Sequence, residues 1–191
     1  MIATQSVTIL TPERLSTIGQ AFFTAQATGD VWECEPTIDD LAATILHRRE
    51  KLRAVVVAAP DSSFELQPDN AQGVPVWSAG QLADHVVNAQ YGACEPAIIA
   101  LITPDGRSTF EQPLPADEVP APPIVGRDAA LARLDRATPD YERLLDAVPR
   151  DANLTLTLEH RYFGTINLEA LLLICAWHEQ SHAAQIERLA G

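Results

Sequence analysis

Lysine is almost absent. Lys51 is the only one in 191 residues, and with twelve arginines the cations number 13 against 26 Asp and Glu. The resulting formal charge of −13 repels nucleic-acid backbones and anionic membrane surfaces, so neither is expected as a partner. Long hydrophobic runs are also missing: none approaches the ~20 residues that cross a bilayer. The opening residues MIATQSVTIL carry no basic region and no long apolar stretch. No signal peptide is therefore expected, and the cytoplasm is the expected location. Cysteine is scarce. Cys34, Cys94 and Cys175 are too few and too scattered for a disulfide framework, and read as small buried hydrophobes in a reducing compartment.

What remains is an ordinary globular composition, 47% apolar and 20% charged. It suits a single domain over residues 1–191, divided into an N-terminal extension at 1–36 and a core at 37–190. Residues 1–10 read as an extended arm or short strand. Thr11-Pro12-Glu13 starts a helix over 11–28, with Leu15, Ile18, Phe22 and Ala25 on one face and Gly29-Asp30 ending it. Thr37 caps a second helix that Pro60 stops, and residues 61–76 follow as a polar loop. Ser78 caps a third, running from Ala79 towards Ala100, which Pro96 should end or kink.

Residues 103–126 hold six prolines and no periodicity, which predicts a stiff, extended strap. A further helix is expected from Arg127 to Val148, with a kink or break at Thr138-Pro139. Alternation of Leu154, Leu156 and Leu158 within 153–166 predicts a strand or small hairpin, with His160 exposed at its turn. The last helix should run from Asn167 to about Leu189. One-sided apolar stripes on mostly helical segments predict an all-α bundle.

Chemistry concentrates in Trp177-His178-Glu179-Gln180-Ser181-His182. His178 and His182, at i and i+4, share one helix face, where neutral imidazoles suit one metal ion. Both fall on the apolar stripe and so point inward. His85 lies on the inward stripe of its own helix, beside Leu82 and Ala89. Three of five histidines therefore face an apolar interior, and three histidines with open positions is the layout of a catalytic metal site. His47 and His160 fall outside this set.

HEQSH also matches the H-E-x-x-H pattern of zinc proteases, with Glu179 as base. Only nine residues follow His182, however, and Gln185 and Arg188 stand where the extended pattern wants Gly and His. Glu179 lies about 100° round from the histidine face and reads as an exposed helix glutamate. Arg48, Arg49 and Arg53 are candidates to meet an anionic cofactor, although a solvated basic patch explains them as well. Trp77, Trp177, Tyr91 and Asn88 lie near the ligands in sequence. Of these the tryptophans read as packing, and Asn88 could point near the metal. Cys175, three residues before His178, could reach a metal if the geometry shifted.

Two segments carry a family resemblance. Val76-Trp77-Ser78 through His85 resembles the start of the second core helix in DinB-like proteins. Phe163-Gly164-Thr165-Ile166-Asn167-Leu168, followed by His178 through His182 and on to Gln185-Ile186, resembles that family's final segment. The likeness covers roughly residues 37–190. It implies a four-helix bundle in up-down-down-up order with a long crossover between the second and third helices, where the proline-rich strap falls. The helix at 11–28 would be an addition, capping the site mouth or serving a dimer contact.

The resemblance also implies a divalent metal, zinc or nickel, held by His85, His178 and His182. It further implies kinship with thiol-dependent S-transferases and a mycothiol-dependent maleylpyruvate isomerase. The leading expectation is thus a metal-dependent transferase that uses a low-molecular-weight thiol on a small-molecule substrate. The alternatives are a metal-dependent hydrolase or a non-catalytic metal-binding, stress-related protein. A homodimer is expected, since such bundles commonly pair about a two-fold axis.

Overall fold

The structure is a computed structural model that describes residues 7–23, 36–67, 76–103 and 120–191. Capping decides where its long helices begin. The Thr37 side chain accepts from the Asp40 N–H while the Asp40 carboxylate accepts from the Thr37 N–H, a reciprocal box that opens α2 (Ile38–Ala58). Ser78 and Gln81 repeat the device at the start of α3 (Ala79–Ala89). Asn167 takes the Ala170 N–H and starts α6 (Leu168–Leu189). α5 (Arg127–Ala147) has no side-chain cap, but Asp128 in its first turn suits the helix dipole.

The third predicted helix is three pieces. Pro96 has no N–H to offer the carbonyl four residues back, and its ring crowds that carbonyl. The backbone widens just before it into one π turn, Gln90–Cys94, closed by the Glu95 N–H on the Gln90 carbonyl. It then continues as α4 (Glu95–Ile102). The Thr138-Pro139 step, by contrast, does not divide α5. The expected polar loop after Pro60 begins with a 3₁₀ turn, Asp61–Phe64, whose Phe64 is buried. Leu158–His160 (β1) and Gly164–Ile166 (β2) pair antiparallel as the expected hairpin, with Gly164 at φ +67° in the turn. His160 is half-buried at the end of β1, not exposed, and its ring stacks near Phe163 at 4.7 Å.

Core contacts set the helix directions. One apolar cluster joins Ile38 and Leu41 of α2, Ile98 of α4, Leu145 of α5 and Leu168 of α6. A second joins Val56 of α2, Leu82 of α3, Leu134 of α5 and Ile186 of α6. α2 and α6 therefore run from the first cluster to the second, while α3 and α5 run back. This is the up-down-down-up order. The helices that run together are joined across the bundle by the connection between α4 and α5, of which 104–119 lie outside the described residues.

The described end of that connection, 120–126, has no helix or strand and is pinned to the start of α3. Gln81 Nε2 donates to the Pro122 carbonyl at 2.8 Å. A Cβ on Gly80 would stand 2.0 Å from the Val125 carbonyl oxygen, so only glycine admits the chain there.

The N-terminal helix is α1 (Pro12–Phe23), shorter than the predicted 11–28. The expected stop at Gly29-Asp30, and Cys34, lie outside the described residues. Leu15 is fully buried in the first cluster, and α1 packs on α6. The preceding residues are tied to α2: the Thr44 hydroxyl accepts from Leu10 N–H, and buried Arg48 donates to the Leu10 carbonyl. No described helix is long and apolar enough to cross a membrane.

Candidate metal centre

The two apolar clusters meet at a polar layer. α2 contributes Arg49, between Ile45 of the first cluster and Leu52 of the second. α3 and its π turn contribute His85 and Gln90, and α6 contributes His178, Glu179 and His182. These residues form two groups side by side.

In one group, three imidazoles converge. His178 Nε2 lies 3.1 Å from His85 Nε2 and 3.0 Å from His182 Nε2. One ligand atom from each ring falls within 4.8 Å of the others, which makes the set a candidate site for a metal ion. Two nitrogens bound to one tetrahedral zinc at ~2.0–2.1 Å lie about 3.3 Å apart, so the observed spacing is close to that of a shared ion. All three rings are partly exposed.

The protonation states suit ligation. Burial lowers the pKa of His85, with Asp84 opposing. Burial, then the neighbouring His182 and His85, holds His178 well below the usual histidine range. Burial, then His85, brings His182 down to about 4, while its Gln185 bond acts the other way. The rings are therefore neutral at pH 7.

His182 Nδ1 donates to Gln185 Oε1 at 2.7 Å, because an amide oxygen only accepts. Its Nε2 then presents a lone pair to the cluster. A single proton on His178 Nε2 could satisfy one of the two close contacts but not both. Three inward nitrogens thus lack enough protons to bond one another, an arrangement a cation would complete.

In the other group every member is paired. Arg49 and Glu179 are 1% and 2% exposed. Arg49 Nε donates to both Glu179 oxygens at 3.0 Å, and Nη2 reaches Oε1 at 2.5 Å. Nη1 donates to Gln90 Oε1 at 2.9 Å, and the guanidinium lies over the Tyr141 ring at 5.2 Å. Gln90 Nε2 goes on to the Ala137 carbonyl and to Glu95. Burial raises the Glu179 carboxyl and Arg49 opposes it.

This corrects the sequence expectation: Glu179 is not an exposed glutamate, and both its oxygens are occupied. Nor do Arg48, Arg49 and Arg53 form a solvated basic patch, or a free set for an anionic cofactor. Arg48 and Arg49 are buried with internal partners, and Arg53 is paired with Asp135.

Other expected neighbours sort out as follows. Asn88 does not point to the cluster; it bonds Asp84 and Arg133, which with buried Asp84 tie α3 to α5. Cys175 turns instead to Cys94 and Tyr141, with which it hydrogen-bonds, and is not part of the ligand set. Tyr91 bonds Asp140 at the surface. His47 is half-buried on α2, away from the site. Trp177 packs on the first apolar cluster. Trp77 does more than pack: its ring meets His85 edge-on at 5.0 Å and also walls a cleft of about 460 Å³.

Val76, Leu82 and Leu189 complete the cleft's apolar side, and His182, Gln185 and Arg188 form the rest. No described residue of α1 lines it. Sequence reasoning assigned no role to Gln90, Gln185 or Arg188. The i+3 spacing of Gln185 from His182 was a usable signal for one of them.

A family model described as the DinB superfamily matches residues 44–186, well over half of the chain. No curated protein and no solved structure matches it.

Proposed function

The chain belongs to the DinB superfamily, and from that premise we propose a divalent-metal enzyme that transfers a low-molecular-weight thiol to a small-molecule acceptor. The observation that carries the reading is the meeting of three neutral histidine nitrogens beside an open cleft. His85, His178 and His182 would hold the ion, zinc or nickel by the preference of imidazole donors. Bound there, it would supply Lewis acidity that lowers the pKa of a thiol sulfur at an open position.

The chain's own residues do the rest. Gln185 fixes the tautomer of His182 and aims its Nε2 inward. The Arg49–Glu179 pair locks α6 to α2 next to the ligands, so two of the three imidazoles are carried on a helix that cannot slide. Trp77 packs edge-on against His85 and offers the acceptor an apolar wall. A hydrolase with Glu179 as base is disfavoured, because Arg49 occupies both carboxylate oxygens. We also read residues 1–191 as one domain, with 37–190 as its core, and the chain as a cytoplasmic homodimer. A sedimentation run at micromolar concentration giving a 20.7 kDa monomer would remove the dimer.

Cobalt substitution tests the chemistry. Adding 2-mercaptoethanol to the Co²⁺ protein should produce a sulfur-to-metal charge-transfer band that His178→Ala abolishes and Cys175→Ser retains. A cobalt-loaded protein that shows no band with thiol would overturn the transferase reading and leave a passive metal binder.

A further inference from the structure

Among the described residues that line the cleft beside the histidines, one side chain is charged: Arg188, in the last turn of α6. The other polar lining groups are already committed. Gln185 holds His182, and the Nε2 of His182 faces the cluster. Arg188 itself takes part in none of the ion pairs formed among the described residues. Most of the described arginines do: Arg49, Arg53, Arg127, Arg133, Arg143 and Arg150 each meet a carboxylate.

An arginine outside the described ion pairs, on the wall of a cleft, in a chain of net charge −13, is a local reversal of sign. The overall field repels anions, so one that enters must be met by a specific cation. The guanidinium fork matches a carboxylate bidentately. The same cleft is lined by Trp77 and Leu82, which offer apolar surface and no hydrogen bond to a polar ligand body beyond the indole N–H. About 460 Å³ lies within the ordinary range of small-molecule sites. Arg188 is six residues beyond His182, roughly 9 Å along the helix axis, so an anionic head there leaves several bonds of ligand before the imidazoles.

Resting on the functional reading above and extending it, we propose that this cleft selects an organic carboxylate, its anionic head on Arg188 and its apolar body against Trp77. Arg188 is then a specificity-determining residue, and the carboxylate belongs either to the acceptor or to the thiol.

Binding measured by calorimetry tests this on metal-free and zinc-loaded protein alike. The probes are 3-phenylpropionate and 3-mercaptopropionate, each against its neutral amide. The acid should bind roughly three- to tenfold more tightly than the amide for at least one pair. Arg188→Gln should erase that preference, and Arg188→Lys should keep part of it. Arg188 is exposed on the last turn, so these variants leave the core intact.

A preference confined to 3-phenylpropionate assigns the carboxylate to the acceptor. One confined to 3-mercaptopropionate assigns it to the thiol. Equal binding of acid and amide in both pairs overturns the proposal. So does a preference that survives Arg188→Gln and appears only with zinc, because the carboxylate is then on the metal. Failure of the two readings separates cleanly. A chain that binds no metal yet keeps the Arg188-dependent preference loses the metal reading alone, and a metal-binding chain without the preference loses this one alone.

Discussion

His178 and Glu179 are neighbours on α6, lie in the same polar layer of the bundle, and belong to opposite kinds of environment. Glu179 meets Arg49, Arg49 meets Gln90, and Gln90 meets the Ala137 carbonyl, so every donor has an acceptor. His178 meets two further imidazole nitrogens at 3.0–3.1 Å, with too few protons to join them. A buried polar group that is fully paired is a fastener between helices. One that is assembled, inward and short of partners is a ligand set that a cation would complete. The contrast separates scaffold from function across a rotation of only ~100° on one helix.

The largest expected effect comes from breaking the paired half. Glu179→Ala strands Arg49 in the interior and should cost about 3–5 kcal/mol of stability, read as a lower urea midpoint. Replacing both partners by apolar residues, as Arg49→Met with Glu179→Leu, should restore most of it. A Glu179→Ala protein as stable as wild type would refute the fastener role.

The histidine half should respond less. His178→Ala removes one nitrogen from a crowded set, so in metal-free protein it should cost less than Glu179→Ala in the same urea titration. Gln185→Ala gives a smaller effect again. It frees the His182 ring without removing a ligand, and should weaken zinc about 10–100-fold in a competition titration with a chelator. Unchanged affinity would separate Gln185 from the site.

The smallest effect concerns a histidine in neither half. Burial brings His160 down to about 4, below its ordinary 6.5. Below pH 6.5 the unfolded chain therefore binds a proton that the folded chain does not. His160's contribution is whole above about 6.5 and is lost as pH falls towards about 4. His160→Phe should flatten that part of the stability–pH curve. An unaltered curve would show that His160 is not the group responsible.

Much of this was legible in the sequence. Thr37, Ser78 and Asn167 announce their helices because capping is local chemistry. The three inward histidines could be picked out because helical periodicity places His85, His178 and His182 on apolar stripes. The paired half could not. Arg49 and Glu179 are 130 residues apart, and each alone looks like a surface charge, so only packing reveals the partner. The π turn was equally hidden. Pro96 signals a disturbance, but whether the helix ends, kinks or widens depends on what surrounds it. Arg188 carries no sign of a role in the sequence, because an exposed terminal arginine is ordinary until a cleft forms against it.

The contrast between the two halves is tested most directly by zinc stoichiometry. Equilibrium dialysis at pH 7.5 followed by elemental analysis would compare the wild type, the three single His→Ala variants at 85, 178 and 182, and the Arg49→Met/Glu179→Leu double variant. The account predicts about one ion per chain in the wild type and the double variant, and none held stoichiometrically by any of the histidine variants. A wild type without a stoichiometric ion, or histidine variants that retain it, would contradict the account.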